Sequence, residues 1–304
     1  MDADKNSSVL ITGGRGFIGR TLGKLLQRAG YRVVSLDQNA PAESGDDLES
    51  VHEILCDICD SFQLQRVFEE ERIGGIIHLA AILPTAAQRD PLRATQVNIV
   101  GSLNLLEMAR RFGVRRFVFG SSLSVYGTWG ADQFVSEADR AAPEDLYGAG
   151  KLYIERLGET YRAHGLEFVS LRIGRVVGPG AQSASSAWRS QIFELLSASH
   201  PTEIALPYVG IERVLVLHVD DAAKMLVKLL QASRLDHAVY NAPCESMVVV
   251  DLKQTVQALN SNISVKLGDG YAVGNPRLLD ASRFEREFGF VAVPIIEQLT
   301  RTAT

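Results

Sequence analysis

Short apolar runs alternate along the first half of the chain with segments whose apolar residues recur at helical spacing. The run Val9–Thr12 is followed by a helical pattern from Phe17 to Leu26 and by a second run at Tyr31–Asp37. These three segments predict one βαβ unit. Further strands are predicted at Ile54–Cys56, Ile76–Leu79, Arg116–Gly120 and Glu167–Arg172, with helices around Phe62–Phe68, Val97–Phe112 and Tyr147–His164. Such repeated βα alternation predicts an α/β fold with a doubly wound parallel sheet.

The regular alternation ends near Gly174, where Gly178–Gly180 and a Ser/Ala-rich stretch follow. The apolar run Val214–Val219 and the helical pattern Ala222–Leu230 then predict a return to the sheet domain. The remaining residues are expected to build a small cap over the cleft. The expected division is a Rossmann domain at 1–173 and 214–243 and a small C-terminal substrate-binding cap at 174–213 and 244–304.

Composition narrows the class of protein. The 304 residues carry 31 basic and 36 acidic side chains without a basic run, which argues against nucleic acid as a partner. The polar segment 1–8 and the early break of the next apolar run at Gly13 predict neither a signal peptide nor a membrane span, and therefore a cytoplasmic protein. Three cysteines argue against a disulfide framework. Cys56 and Cys59 lack a second pair, so no metal is expected.

A glycine-rich segment, Thr12–Gly19, joins the first predicted strand to the first helix. Glycines there let backbone N–H groups approach a pyrophosphate at a helix N-terminus, and the alternative is an ordinary tight turn. Asp37 ends the second strand, where a carboxylate accepts hydrogen bonds from a ribose and repels a 2′-phosphate. We therefore predict NAD rather than NADP. Asp57 and Ile58 are expected to hold the adenine, although Asp57 could instead cap the next helix.

A tyrosine and a lysine lie four residues apart in Tyr147–Lys151, which places them on one helical face. A lysine ammonium and the positive ring of the cofactor can lower the tyrosine pKa, so that the phenolate deprotonates an alcohol. Ser122 follows a strand at the edge where ligands bind and can hydrogen-bond the reacting oxygen. The Y-x-x-x-K pattern alone also occurs on plain amphipathic helices. Its combination with the glycine-rich segment favours a catalytic role.

With these motifs, the chain resembles the extended short-chain dehydrogenase/reductase family, also called the NAD-dependent epimerases/dehydratases, over nearly its full length. His78–Ala81, Asn98 and His218–Asp221 match further segments of that family and of its sugar-nucleotide 4-epimerases. The resemblance implies an NAD-binding Rossmann fold and catalytic roles for Ser122, Tyr147 and Lys151. The residues that it implies near NAD are Gly13, Gly16, Phe17, Ile18, Gly19, Asp37, Asp57, Ile58, Leu79, Ala80, Ala81, Asn98, Tyr147, Lys151 and Ile173.

The same resemblance implies that Ser124 faces the substrate and that His78 supports the structure without taking part in catalysis. The family commonly forms dimers through two helices of each subunit. The matching candidates here are the helices near 98–112 and 151–164, so a homodimer is expected.

The residues that follow Ser122 indicate which of the family's reactions the chain catalyses. Leu123 and Ser124 occupy the places where family dehydratases carry an acidic pair, which argues against dehydration. Epimerisation through a transient ketone and net dehydrogenation use the same residues, and family frequency alone puts the epimerase slightly ahead. A non-catalytic NAD-binding regulator is a third alternative, disfavoured because Tyr147 and Lys151 are intact.

The substrate is expected to be a carbohydrate-type small molecule. Arg175 occupies the position where the epimerases carry an asparagine, and the arginine that they carry before His218 has no aligned counterpart here. In the epimerases these groups hold the nucleotide diphosphate, so their loss favours a substrate smaller than a nucleotide sugar. The segment Ala184–Arg189 resembles the substrate loop of sugar-acid dehydrogenases, or else simply begins a surface helix. Arg175 and Arg189 are therefore predicted to bind a carboxylate or a diphosphate.

Overall fold

The computed structural model describes residues 7–39, 51–180 and 186–303. Its strands are β1 (Ser8–Thr12), β2 (Arg32–Asp37), β3 (Val51–Leu55), β4 (Ile73–His78), β5 (Arg116–Ser122), β6 (Phe134–Val135), β7 (Glu167–Ile173), β8 (Arg175–Val177), β9 (Thr202–Tyr208), β10 (Arg213–His218), β11 (Val239–Asn241), β12 (Glu245–Val248), β13 (Ile263–Gly270) and β14 (Leu278–Leu279). Its α-helices are α1 (Phe17–Arg28), α2 (Ser61–Glu70), α3 (Pro84–Arg89), α4 (Pro91–Thr95), α5 (Ser102–Arg111), α6 (Leu146–Tyr161), α7 (Trp188–Glu194), α8 (Val219–Gln231), α9 (Val249–Leu259), α10 (Ser282–Phe288) and α11 (Ile295–Ala303).

Seven parallel strands form the central sheet in the order β11-β7-β5-β4-β1-β2-β3. The order reverses between β1 and β4, and a ligand crevice opens at such a point beside the carboxyl ends of the strands. The predicted doubly wound parallel sheet is confirmed. The crevice between these two strands is therefore where the glycine-rich segment and the predicted cofactor residues meet.

The strands of the central sheet are apolar on both sides because helices cover both faces. In β1, Val9 and Ile11 pack with α1 and α8, whereas Leu10 packs with α2, α5 and α6. This alternation follows from the period of two along a strand. The first core contains Leu22, Leu26 and Leu226, and the second contains Leu64, Leu105 and Ile154.

The segment after β7 builds smaller sheets. Strand β10 was expected to return to the sheet domain, but it pairs with β8 and β12 in a three-stranded sheet apart from the central one. Helix α8 does pack against α1, and β11 adds to β7 at the edge of the central sheet. The alternation of apolar and polar residues along a strand does not reveal which sheet the strand joins, because any sheet with one buried face gives the same period.

The cap has a hydrophobic core of its own, which includes Trp188, Phe193, Leu206, Val265 and Leu299. These residues come from α7, β9, β13 and α11. This core joins residues from before and after α8, and it also includes Val214 and Val216 of β10. Among the described residues, no helix is long and apolar enough to cross a bilayer.

Candidate active site

A cavity of about 1710 Å³ lies over the carboxyl ends of the central strands and under the cap. All the predicted site residues except Asn98 line it: Gly13, Gly16, Phe17, Ile18, Gly19, Asp37, Asp57, Ile58, Leu79, Ala80, Ala81, Ser122, Ser124, Tyr147, Lys151, Ile173, Arg175 and Arg189. Asn98 lies behind the wall, where its side-chain amide accepts a hydrogen bond from the Ile82 N–H at 2.7 Å and donates to the Ile82 carbonyl at 3.0 Å. Asn98 thus holds the segment after β4 that borders the cavity.

The glycine-rich segment is packed too closely for side chains. Gly13 has a φ of +68°, and a Cβ there would lie 2.8 Å from the Ala80 nitrogen. A Cβ on Gly19 would lie 2.2 Å from the Gly13 carbonyl oxygen. Helix α1 begins after Gly16 without a side-chain cap and without an acid in its first turn. Its first N–H groups lack partners within the helix and favour an anion, so these residues fit the pyrophosphate of a dinucleotide.

Carboxylates line the cavity beside the ends of β2 and β3. Asp37 accepts hydrogen bonds from the backbone N–H groups of Arg15 at 3.2 Å and Asn39 at 3.1 Å. Asp57 accepts from the Cys59 N–H at 2.9 Å and pairs with Arg93 at 2.9 Å. Partial burial opposes ionisation, but these hydrogen bonds lower the pKa of Asp57. The alternative that Asp57 caps α2 is wrong, since Asp60 accepts from the first N–H groups of that helix.

The start of α6 carries Tyr147 and Lys151 into the cavity. Asp145 caps the helix by accepting a 2.6 Å hydrogen bond from the Gly148 N–H. The Lys151 Nζ atom donates to the Gly120 carbonyl at 2.6 Å and lies 5.5 Å from the centroid of the Tyr147 ring. Ser122 lies beside Tyr147, where it lowers the pKa of the phenol, and its hydroxyl donates to the Ser124 hydroxyl at 3.2 Å. Strand β5 and helix α6 therefore bring together the three predicted catalytic residues.

Burial has opposite effects on the two ionisable members of this group. It raises the pKa of Tyr147 to about 12, while the nearby Ser122 hydroxyl and the charge of Arg189 lower it in part. Burial lowers the pKa of Lys151 to about 7, and the carboxylate of Glu155 acts in the other direction. A phenolate at Tyr147 thus needs nearby positive charge.

Two arginines lie at the cap side of the cavity. The Arg175 guanidinium lies 5.8 Å from the centroid of the Tyr208 ring. Arg189 hydrogen-bonds Ser186, and its buried Nε atom has no hydrogen-bond partner within the described part of the chain. Burial and the like charge of Arg175 lower the pKa of Arg189, whereas Tyr208 and Tyr147 raise it. Neither arginine forms an ion pair among residues 7–39, 51–180 and 186–303, so this end of the cavity favours an anion.

The predicted substrate loop is only partly described. Ala184 and Ser185 lie outside the described residues, whereas Ser186, Trp188 and Arg189 line the cavity. Trp188 begins α7 and is buried, so this segment is not a surface helix.

The lining residues that sequence reasoning missed include Tyr208, Val273 and Asn275 from the cap. Tyr208 ends a strand of alternating burial, but alternation does not reveal which cavity the strand borders. Val273 and Asn275 lie between strands β13 and β14, where the sequence carries no periodic signal.

The sequence profile of the NAD dependent epimerase/dehydratase family matches residues 9–242. The chain is 37% identical over 182 residues to a UDP-glucose 4-epimerase of Erwinia amylovora, covering 56% of this chain and 54% of that protein. The match therefore spans about half the length of that relative. A uronate dehydrogenase of Pseudomonas syringae pv. tomato is 29% identical over 234 residues, covering 76% of this chain and 80% of that protein.

Two solved structures share the fold along almost the whole chain. The UDP-glucose 4-epimerase of Thermus thermophilus, in complex with NAD, has a TM-score of 0.82 and 25% identity, with 97% of each chain covered. The GalE-like L-threonine dehydrogenase of Cupriavidus necator has a TM-score of 0.87 over 98% of this chain and 99% of that chain, and its 22% identity is informative for the fold alone. Because the family profile matches most of the chain, this protein belongs to the NAD-dependent epimerase/dehydratase family.

Proposed function

We propose that the protein is an NAD-dependent dehydrogenase that oxidises a secondary alcohol of a small, carboxylate-bearing carbohydrate. The observation that carries this proposal is the pair Arg175 and Arg189 at the substrate end of the cavity, next to Tyr147. Two guanidinium groups without a carboxylate partner among the described residues favour an anionic ligand. Arg189 lies near enough to Tyr147 for its charge to act on the phenol, so a carboxylate bound there would lie near the reacting alcohol, as in a small substrate.

The cofactor residues act through position and charge. The first turn of α1 and Gly13 would hold the pyrophosphate of NAD, and Asp37 would accept hydrogen bonds from the adenosine ribose. NAD supplies the acceptor for the hydride of the alcohol carbon. Ile173 and Leu79 line the cavity between these groups and Tyr147, where apolar side chains exclude water.

The proton of the alcohol goes to Tyr147. Ser122 lies beside the phenol and, in this proposal, hydrogen-bonds the reacting oxygen, which aligns that oxygen with Tyr147 for transfer. The guanidinium of Arg189 favours the phenolate and opposes part of the effect of burial, and the ammonium of Lys151, 5.5 Å from the Tyr147 ring, would favour it too. Tyr147 is thus the general base, Lys151 its electrostatic support, and Ser122 the group that orients the substrate.

An epimerase acting on a nucleotide sugar is the second candidate. It is supported by the 37% identity to a UDP-glucose 4-epimerase and by the two arginines, because guanidinium groups bind a diphosphate as well as a carboxylate. The dehydrogenase is favoured because the match to a uronate dehydrogenase extends over 76% of the chain and reaches into the cap, where substrate recognition lies.

The experiment compares three classes of substrate with purified protein and NAD. Hexuronates, the matched neutral aldoses and UDP-sugars are added separately, NADH absorbance is followed, and products are analysed by NMR. NADH accumulation with a hexuronate and not with its neutral aldose supports the proposal. A stereoisomer of a UDP-sugar formed without net NADH would replace it with the epimerase. Binding of NAD without turnover of any substrate would favour a regulator.

We also propose a homodimer formed through the helices 96–111 and 146–161. Val100, Leu103 and Tyr153 are exposed apolar residues on these helices, and an apolar face of this kind is typical of a subunit interface. Light scattering with size-exclusion chromatography tests it. Leu103→Glu is expected to give monomers, whereas Leu92→Glu, at another exposed leucine, should not. A monomeric wild-type protein would contradict the proposal.

The cytoplasm is the proposed location. Cys56, Cys59 and Cys244 are all free thiols, which suits a reducing compartment. Fractionation of the native host, with immunodetection of the protein, tests this assignment.

A further inference from the structure

A buried ion pair lies beneath the candidate catalytic residues. Arg172 donates to Glu155 through Nε at 3.0 Å and through Nη2 at 2.6 Å, and both side chains are at most 5% exposed. Ser121 donates a third hydrogen bond, at 2.5 Å, to the same carboxylate. A buried ion pair is costly to desolvate and is often no more stabilising than apolar packing. The position of this pair therefore matters more than its contribution to stability.

Three consecutive residues at the end of β5 each face one side chain of α6. The Gly120 carbonyl accepts from Lys151, Ser121 donates to Glu155, and Ser122 lies beside Tyr147, where it lowers the pKa of the phenol. On the helix, Tyr147, Lys151 and Glu155 follow one another at intervals of four residues, which places them on one face. The strand end and the helix are thus held together by two adjacent hydrogen bonds, and Glu155 makes the one next to Ser122.

Glu155 also affects the protonation of Lys151, which is buried one helical turn away. The Lys151 Nζ atom lies 4.6 Å from the centroid of the Phe119 ring and is 4% exposed as a residue. The facing ionisable groups are Tyr147 and Glu155 on its own helix, His78 on β4, and Arg172 on β7, whose charge is paired with Glu155. Burial lowers the pKa of Lys151 to about 7, and Glu155 is the group that raises it. Glu155 thereby favours the ammonium form that supports a Tyr147 phenolate.

We propose that Glu155 is a positioning residue for the hydride-transfer site, which fixes the strand end next to Ser122 through Ser121 and places a carboxylate one helical turn from Lys151. This inference rests on the proposed function for its meaning in catalysis. Its structural basis is independent of which substrate is used, because every contact involved lies within the protein.

The first test measures the titration of Lys151 directly. Protein with ¹³C-labelled lysine side chains is followed by NMR across pH, with the Lys151 signal assigned through Lys151→Arg. We expect Glu155→Gln to lower the pKa of Lys151. Glu159→Gln is the matched control, since Glu159 lies one turn further along α6, exposed and paired with Arg156. An unchanged Lys151 pKa in Glu155→Gln would overturn the electrostatic part, whatever the substrate proves to be.

The second test uses turnover. Glu155→Gln is expected to lower kcat about 100-fold, with NAD binding retained, because small displacements of catalytic groups are costly. Its alkaline limb of activity should move to lower pH, since Lys151 loses its proton earlier. Ser121→Ala removes the positioning bond and keeps the charge, so kcat should fall without that shift. A normal kcat in both variants would overturn the positioning part. A wild-type protein without turnover would instead contradict the proposed function.

Loss of Glu155 leaves Arg172 buried without its partner, which can prevent folding. If thermal melting shows that Glu155→Gln is unfolded, the double variant Glu155→Gln/Arg172→Met replaces it, because it removes both charges. The Lys151 pKa and kcat should then still be lowered. Recovery of both wild-type values in the folded double variant would show that the pair has a structural role only and would overturn the proposal.

Discussion

The Thr12 hydroxyl lies 2.6 Å from the Nδ1 atom of His78, which ties the ends of β1 and β4 at the point where the order of the central sheet reverses. The Nε2 atom of His78 lies 2.8 Å from the Ser102 hydroxyl, which itself donates to the Asn98 carbonyl. Because the Ser102 hydroxyl donates its only proton to Asn98, it can only accept a hydrogen bond from His78. The Nε2 atom therefore carries the ring proton, and Nδ1 accepts from Thr12. His78 is a neutral bridge between two strands and a helix.

This bridge predicts how stability depends on pH. Burial lowers the pKa of His78 from 6.5 to about 3. Between these values the unfolded chain binds a proton that the folded chain does not, so the stability is fully present above pH 6.5 and falls as the pH drops towards 3. We expect His78→Gln to reduce the slope of unfolding free energy between pH 4 and 6 by about 1.4 kcal/mol per pH unit. Urea unfolding at several pH values measures it.

The control is His200→Gln, because His200 is exposed and the substitution leaves the bridge intact. It should leave the slope near that of the wild type. Equal slopes for wild type and His78→Gln would show that His78 is charged in the folded state and would contradict the neutral bridge.

The sequence predicts those parts of the site that depend on local spacing. Tyr147 and Lys151 share a helical face, and Gly13 and Gly19 surround a helix start, so short-range geometry is enough to bring each pair together. The substrate end depends on contacts between distant segments. Arg189 approaches Tyr147, and Tyr208 lies beside Arg175, because α7 and β9 fold back over the central sheet. Hydrophobic periodicity does not indicate which segments fold back over the central sheet. For the same reason, the sequence did not show that β10 belongs to a separate sheet.

Gly19→Ala is expected to weaken NAD binding at least about tenfold and to destabilise the fold by about 1–3 kcal/mol. The added methyl group would lie 2.2 Å from the Gly13 carbonyl oxygen, and backbone atoms cannot move aside as a flexible side chain can. Calorimetric titration with NAD and thermal melting measure the two effects. Gly23→Ala on the same helix is the control, since the nearest atom to its Cβ is 4.0 Å away. Equal behaviour of the two variants would contradict this account of the loop.

Asp37→Asn is expected to reduce the preference for NAD over NADP by about tenfold or more, because it removes the negative charge that opposes a 2′-phosphate. The Arg15 N–H already points at this carboxylate, at 3.2 Å, and remains as a donor. Dissociation constants of both cofactors, measured at one ionic strength, give the ratio. An unchanged ratio would show that Asp37 does not lie beside the ribose.

Tyr147→Phe is expected to lower kcat by about 10²–10⁴-fold while leaving the dissociation constant of NAD unchanged. The substitution removes the proton acceptor and preserves the ring near Lys151. Single-turnover rates and a separate NAD titration distinguish the two effects. Tyr153→Phe is the matched control, because Tyr153 is an exposed tyrosine of the same helix. Turnover at the wild-type rate in Tyr147→Phe would exclude Tyr147 as the general base.

Arg189→Gln separates substrate recognition from proton transfer. Loss of the guanidinium should raise KM for a carboxylate substrate by about 10–100-fold, since a charged hydrogen-bonded contact is worth roughly 1.5–3 kcal/mol. Arg189 also lowers the pKa of Tyr147, so the acid limb of kcat/KM should move to higher pH in the variant, where more alkali is needed to form the phenolate. Arg156→Gln, at an exposed arginine of α6, is the control. An equal rise of KM for a neutral aldose would show that Arg189 shapes the cavity without recognising the carboxylate.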